Sequence, residues 1–197
     1  MGNFSAIASH YVGSYGAVYA IEANPQTFIY LTKMLRESGV TNVIALNYAV
    51  CNENGQILSF NKPLLASDAF GHISNKPRNY REQKVTSITI DAIWKLVGKP
   101  SLRMVKIDVE GMEPKVLVGA KECLSTGVSD CVLIEINKWT AERCGESYKS
   151  CYKQLIDFGF VHIYKPNIDV YEKVDIEDKN LPYDATMLFS RLPLQAR

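Results

Sequence analysis

The sequence has no apolar run approaching the roughly 20 residues that cross a bilayer, which argues against a transmembrane helix. It has no surplus of either charge. Lys and Arg total 22 against 21 for Asp and Glu, so no global field draws the chain to nucleic acid or to an anionic membrane. The five cysteines are odd in number and show no C-x-x-C spacing, which argues against a disulfide framework and against a zinc site. A reducing compartment, the cytoplasm, is the expected location. The opening "MGNFSAIASHYVGSYG" lacks the basic n-region and the apolar length of a signal peptide. No G-x-G-x-x-G follows a strand, which counts against a nicotinamide-dependent oxidoreductase, because that loop is what holds a pyrophosphate. Internal repeats and low-complexity tracts are also missing. What is present is ordinary globular composition, 47% hydrophobic and 22% charged over 197 residues. That length supports one sizeable core, and a single domain over residues 1–197 is expected.

Along the chain, "GAVYAIEANPQTFIYLTKMLRESGVTNVIALNYAV" has the pattern strand, helix, strand. Residues 17 to 22 form a short apolar run ending in an acid, as a strand buried on both faces does. Asn24 is a good N-cap and Pro25 a good first helical residue, and Phe28, Leu31 and Leu35 recur at helical spacing before Gly39. A helix over 25–37 follows. "NVIALNYAV" returns as a strand, so the crossover predicts a parallel pair and a doubly wound α/β sheet. Asn54-Gly55 marks a turn and "QILSF" a strand. Residues 61–83 have no periodicity and form a loop long enough to suggest a lid or connection. "KVTSITI" alternates as a strand, "DAIWKLVG" predicts a helix capped by Asp91, and "LRMVKID" predicts a second buried strand. "EPKVLVGAKECL" has one helical face of Val116, Leu117, Ala120 and Leu124, ending at Gly127. "DCVLIEI" is a third buried strand, followed by a helix near 147–157 and strands near 160–164 and 185–190.

Three strands therefore end in Glu22, Asp108 and Glu135. Ligands of open α/β sheets bind outside the carboxyl ends of strands, so these acids are expected to line one crevice. Glu22 stands where a carboxylate takes the ribose hydroxyls of an adenosine cofactor, or where it merely caps the helix from Pro25. Asp108 could meet the cationic amino acid end of S-adenosylmethionine, and Lys106 shares its strand face or pairs with a neighbouring acid. Glu113 suits a helix first turn. His72 is a candidate base in the long loop, and Lys62, Lys76, Arg78, Arg81 and Lys84 there suit an anionic acceptor or plain solvation. Tyr48, Tyr80, Trp94 and Trp139 could stack on a ligand, though buried aromatics are commoner.

The stretch "KIDVEGMEPKVLVGA", supported by "VYAIEANP", "ALNYAVCNENGQILSF", "TSITIDAI" and "VLIEIN", resembles the FkbM-type S-adenosylmethionine-dependent methyltransferases. The resemblance implies a Rossmann-like class I methyltransferase sheet flanked by helices, S-adenosylmethionine as cofactor, and O-methylation of a small-molecule or glycan hydroxyl. It implies that Glu22 binds the ribose, that Asn47 and Ala49 lie near the adenine, and that Asp108 faces the methionine end and the acceptor. Gly2, Asn3 and Asn24 complete the cofactor-binding candidates. Asp108, Glu135 and Lys106 are the catalytic candidates, with either acid able to accept the hydroxyl proton once burial raises its pKa. Against the family's opening strand and D-x-G-A-N-x-G-x-F-S, only Gly2, Asn3, Phe4 and Ser5 fit, followed by a helix from Phe4 to His10. The expectation is that Met1 is internal to a longer protein and that a central strand, between those ending at Glu22 and Asp108, is missing. Such a chain would bind the cofactor weakly or not at all. The alternatives are the oxidoreductase and a non-catalytic methyltransferase-like interaction domain.

Overall fold

The computed structural model describes residues 2–63, 72–73, 80–178 and 180–193, with side chains described outside 61–63, 72–73 and 80–82. The chain divides into two compact units, one of residues 1–50 and 55–87, the other of 51–54 and 88–197.

The first unit opens with α1 (Asn3–Val12), whose N-cap is Gly2 at φ +78°. A Cβ on Gly2 would come 2.3 Å from the Met34 Cε, so the start of α1 packs against the side chains of α2. Strand β1 (Val18–Ile21), helix α2 (Pro25–Glu37) and strand β2 (Val43–Leu46) follow, close to the sequence expectation. The Asn24 Oδ1 accepts from the backbone N–H groups of Gln26 (2.9 Å) and Thr27 (3.4 Å), satisfying two of the helix's orphan donors. The buried face is Thr27, Leu31 and Leu35 rather than one led by Phe28, which is half-buried. β1 and β2 pair in parallel from Val18↔Val43 to Ile21↔Leu46. Ala20, Leu31 and Leu35 form the core between helix and strands. Asn42 fastens α1 to the start of β2, its Nδ2 donating to the Ser9 and Gly13 carbonyls.

A second sheet of this unit contains β3 (Ala49–Val50), β4 (Ile57–Pro63), β5 (His72–Ile73) and β6 (Tyr80–Ile88), in the order β3-β6-β4-β5. β4 and β6 therefore extend into the stretch expected to be loop. The side chains of Lys62, His72, Tyr80 and Arg81, and residues Lys76 and Arg78 altogether, lie outside the described residues.

The second unit carries a five-stranded sheet, β7 (Leu102–Ile107), β8 (Ser129–Asn137), β9 (His162–Lys165), β10 (Val170–Lys173) and β11 (Asp184–Ser190), in the order β10-β9-β11-β8-β7. β7 and β8 are parallel, and β11 runs antiparallel to both β8 and β9. Val132, Ile134, Leu117, Leu124, Tyr152, Leu155, Phe160 and Phe189 are fully buried and form its core. The helices are α3 (Ile90–Leu96), α4 (Glu113–Val118), α5 (Lys121–Ser125), α6 (Lys138–Arg143) and α7 (Tyr148–Asp157). Among the described residues, β1 has a ladder only to β2 and β7 only to β8.

Two local expectations need correction. The single helix expected over "EPKVLVGAKECL" is broken into α4 and α5 around Gly119 and Ala120, and the Gly119 Cα lies so near the Cys51 carbonyl that a Cβ would be 2.2 Å from it. Asp91 does not cap its own helix. Thr89 does, accepting from the Ala92 N–H at 3.0 Å, while the Asp91 carboxylate accepts from the Glu122 (2.9 Å) and Cys123 (2.7 Å) N–H groups at the start of α5.

Candidate functional site

In the first unit, the chain leaves β1 through Glu22, Ala23 and Asn24. The Glu22 carboxylate accepts from the Asn24 N–H at 2.7 Å, so it braces the turn into α2, and the cap itself is supplied by Asn24. Burial pushes the Glu22 carboxyl up, partly opposed by the backbone N–H groups of Asn24 and Ala23. A carboxylate held short of donors in this way gains from further hydroxyl donors, which is the chemistry a ribose diol offers. The Asn47 side chain donates to the Glu22 (2.8 Å) and Ala23 (3.3 Å) carbonyls and so ties the end of β2 to the end of β1. Asn24 is itself buried, and its Nδ2 has no partner among the described residues. Ala49 sits in the core cluster with Phe60 and Val85. Gly2 packs on α2, and Asn3 is exposed on the first turn of α1.

In the second unit, β7 and β8 run in parallel, with Ile107 opposite Ile134 in the last registered pair. One residue beyond, Asp108 and Glu135 share a hydrogen bond, and the Lys106 Nζ stands 2.5 Å from the Asp108 Oδ2. Alternation along β7 puts Lys106 and Asp108 on one face, as their pairing requires. Burial pushes Asp108 up, but the hydrogen bonds with Lys106 and Glu135 and the Lys106 charge outweigh it, and its pKa lies below the ordinary value. Burial, the hydrogen bond with Asp108 and the charges of Asp108, Glu110 and Glu113 push Glu135 up to about 7. Two carboxyls in contact cannot both ionise cheaply, and here the cation beside Asp108 decides which keeps the proton. A carboxyl with a pKa near neutrality is chemically able to accept a proton from a hydroxyl as it reacts.

Glu113 lies in the first turn of α4, as expected, and also holds the turn that precedes it. It is only 3% exposed, and its carboxylate accepts from the Val109 (3.0 Å) and Gly111 (2.9 Å) N–H groups, so it clasps the turn between β7 and α4. Burial raises its pKa against those backbone bonds. This role was not legible from the helix-dipole rule; the signal was the Gly111 between two acids, which marks a tight turn needing backbone acceptors.

The aromatic candidates separate. Trp94 is buried, with its indole N–H on the Pro100 carbonyl at 2.9 Å. Trp139 is 58% exposed on α6 and packs edge-on against Tyr183. Tyr48 is half-buried. Lys84 places its Nζ 2.9 Å from the Ser59 Oγ on the neighbouring strand. Among the described residues no helix is long and apolar enough to cross a membrane, and no group of three or more His, Cys, Asp or Glu could hold a metal ion.

The fold is similar to the crystal structure of Methyltransferase FkbM from Methylobacillus flagellatus KT, with a TM-score of 0.53 and 14% sequence identity over 95% of this chain. The chain spans 40% of the length of that protein. No curated protein matches the sequence significantly. The sheet of parallel β7 and β8 with helices packed on it, together with this likeness, makes the fold a Rossmann-like methyltransferase fold. Residues 2–178 match the family described as the Methyltransferase FkbM domain, and the chain belongs to the FkbM methyltransferase family.

Proposed function

We propose that the protein is an S-adenosylmethionine-dependent methyltransferase that methylates a hydroxyl of a small molecule or sugar. The observation that carries this reading is the Asp108–Glu135 carboxyl pair, just past the last registered pair of the adjacent parallel strands β7 and β8. S-adenosylmethionine, when bound, supplies a methyl group activated on a sulfonium. In the first unit Glu22 would hold its ribose hydroxyls, with Asn47 fixing the backbone that carries Glu22. Gly2, Asn3, Asn24 and Ala49 belong to the same proposed binding region, Asn24 and Ala49 from buried positions that shape the turn and strand around it.

In the second unit Asp108 would stay ionised, held so by Lys106, and orient the acceptor through a charge-assisted hydrogen bond. The hydroxyl loses its proton as its oxygen forms the new bond, and that proton passes to the carboxylate form of the pair, where Glu135 keeps it. Lys106 thus acts on the reaction by keeping Asp108 charged. Most of the remaining work is alignment of the hydroxyl and exclusion of water.

Asp108→Asn tests the reading, because it keeps shape and removes charge. Methyl transfer should fall by well over tenfold while the melting temperature changes by only a few degrees. A collapse of the melt, with activity lost only in proportion to folded protein, would make Asp108 a structural residue and leave the fold as a non-catalytic binding domain.

A further inference from the structure

Two buried polar atoms of the first unit have no partner among the described residues, and one is a donor, the other an acceptor. The Asn24 Nδ2 is the donor, on a residue only 1% exposed. Its amide cannot turn round to relieve it, because the Oδ1 is committed to the Gln26 and Thr27 N–H groups at the start of α2. The Gln83 Oε1 is the acceptor, on a half-buried residue of β6. Buried polar groups are almost always paired, so an orphaned donor and an orphaned acceptor point to a partner that binds there. Packing draws both toward Ala23. Ala23, the residue before Asn24, packs against the cluster of Ala49, Phe60 and Val85. Gln83 stands directly opposite Phe60 in the β4–β6 ladder and two residues from Val85, so alternation puts its side chain on the face that Ala23 meets. On the other side of Ala23 is Glu22, and the Asn47 side chain holds the carbonyls of both.

We propose that Gln83 and Asn24 recognise the adenine of the cofactor, the Gln83 Oε1 accepting from its exocyclic amino group and the Asn24 Nδ2 donating to the ring nitrogen beside it. The inference rests on the reading of Glu22 as the residue that holds the ribose. Adenine is joined directly to that sugar, so a ribose at Glu22 brings the base to the neighbourhood of Ala23. The edge of adenine presents an amino donor beside a ring-nitrogen acceptor, the complement of the two orphaned atoms. The alanines at 23 and 49 keep the packed surface between them flat, as a ring lying against it requires. Glu22 would then read the sugar, which every nucleoside carries, and Gln83 and Asn24 the base.

The test follows binding of S-adenosylhomocysteine, and of its analogue lacking the 6-amino group, by ligand-observed NMR, which reads weak affinities. It uses the full chain as wild type, Gln83→Leu, Asn24→Ser and Glu22→Ala, with thermal melts of each without ligand. In the wild type, removing the amino group should weaken binding about five- to tenfold. Gln83→Leu should weaken S-adenosylhomocysteine by the same factor and bind the two ligands equally, because both changes delete one contact. Asn24→Ser keeps a capping oxygen, drops the donor and should weaken both ligands severalfold. Without ligand, Gln83→Leu should melt at or above the wild type, since an unpaired buried acceptor gives way to apolar groups. Additive losses from Gln83→Leu and the missing amino group overturn the proposal. So does unchanged affinity in Gln83→Leu or Asn24→Ser, the result of a pocket that holds only a buried water. A Gln83→Leu protein that melts below the wild type overturns it without any ligand. Glu22→Ala keeps the two readings apart: affinity equal to the wild type there removes the ribose reading, whereas a loss there with Gln83→Leu unaffected removes only the adenine contact.

Discussion

Asp91→Ala should destabilise the protein through a helix that begins 30 residues downstream. The Asp91 carboxylate receives the N–H groups of Glu122 and Cys123, and α5 is only five residues long with no side-chain cap of its own. Hydrogen bonds to a charged acceptor contribute about 1.5 to 3 kcal/mol each, and loss of an N-cap costs about 0.5 to 2 kcal/mol in all. Asp91 is half-buried, so water replaces part of what is lost, and about 2 to 3 kcal/mol is the expected net cost. For a chain of this size that lowers the melting temperature by roughly 4 to 12 °C. Thr89→Ala removes one neutral cap bond on α3 and should cost about 1 kcal/mol. Native-state hydrogen exchange separates the two: Asp91→Ala should lower protection at Glu122 and Cys123, and Thr89→Ala at Ala92. Loss of protection confined to residues 90–96 in Asp91→Ala, with 122 and 123 unchanged, would refute the reasoning.

Two further outcomes follow from the same physics. The folded pKa of Glu135 is raised from 4.5 to about 7, so the stability it confers is complete below about pH 4.5 and is lost as pH rises through about 7. Glu135→Gln should flatten the fall in melting temperature between those pH values, and an unchanged slope would place that titration elsewhere. Gly119 has φ −75°, where alanine is comfortable, so backbone entropy alone predicts that Gly119→Ala stabilises by about 0.4 to 1 kcal/mol. The new Cβ would meet the Cys51 carbonyl at 2.2 Å, however, and overpacking of about 1 to 3 kcal/mol should win, read as a lower denaturation midpoint.

What was legible in the sequence was what short-range chemistry dictates. Asn24 and Pro25 start α2, Gly39 at φ +65° lets the chain turn after it, and the apolar runs became the parallel strands β1, β2, β7 and β8. The acids at the strand ends were visible for the same reason. What was not legible depended on partners far along the chain. At the break between α4 and α5 Gly119 lies against a carbonyl 68 residues away, and Asp91 is diverted by amides 31 and 32 residues away. Helix α6 was missed although its cap was in view, Asn137 accepting from the Thr140 N–H at 3.1 Å, because six residues show too little periodicity. Likewise the sequence placed Asp108 and Glu135 at strand ends without saying which holds a proton. That depends on β7 lying beside β8 and on Lys106 reaching Asp108.

Equilibrium titration of the full chain with S-adenosylmethionine, its demethylated product and NAD, in the wild type and in Glu22→Ala, tests the central claim most directly. Where binding is measurable, the account predicts that it is of the two adenosyl ligands and not of NAD. It also predicts a loss of at least tenfold in affinity on removing Glu22, because two charge-assisted bonds of about 1.5 to 3 kcal/mol each would go. Binding of NAD in place of the adenosyl ligands, or equal affinity in Glu22→Ala, would contradict it.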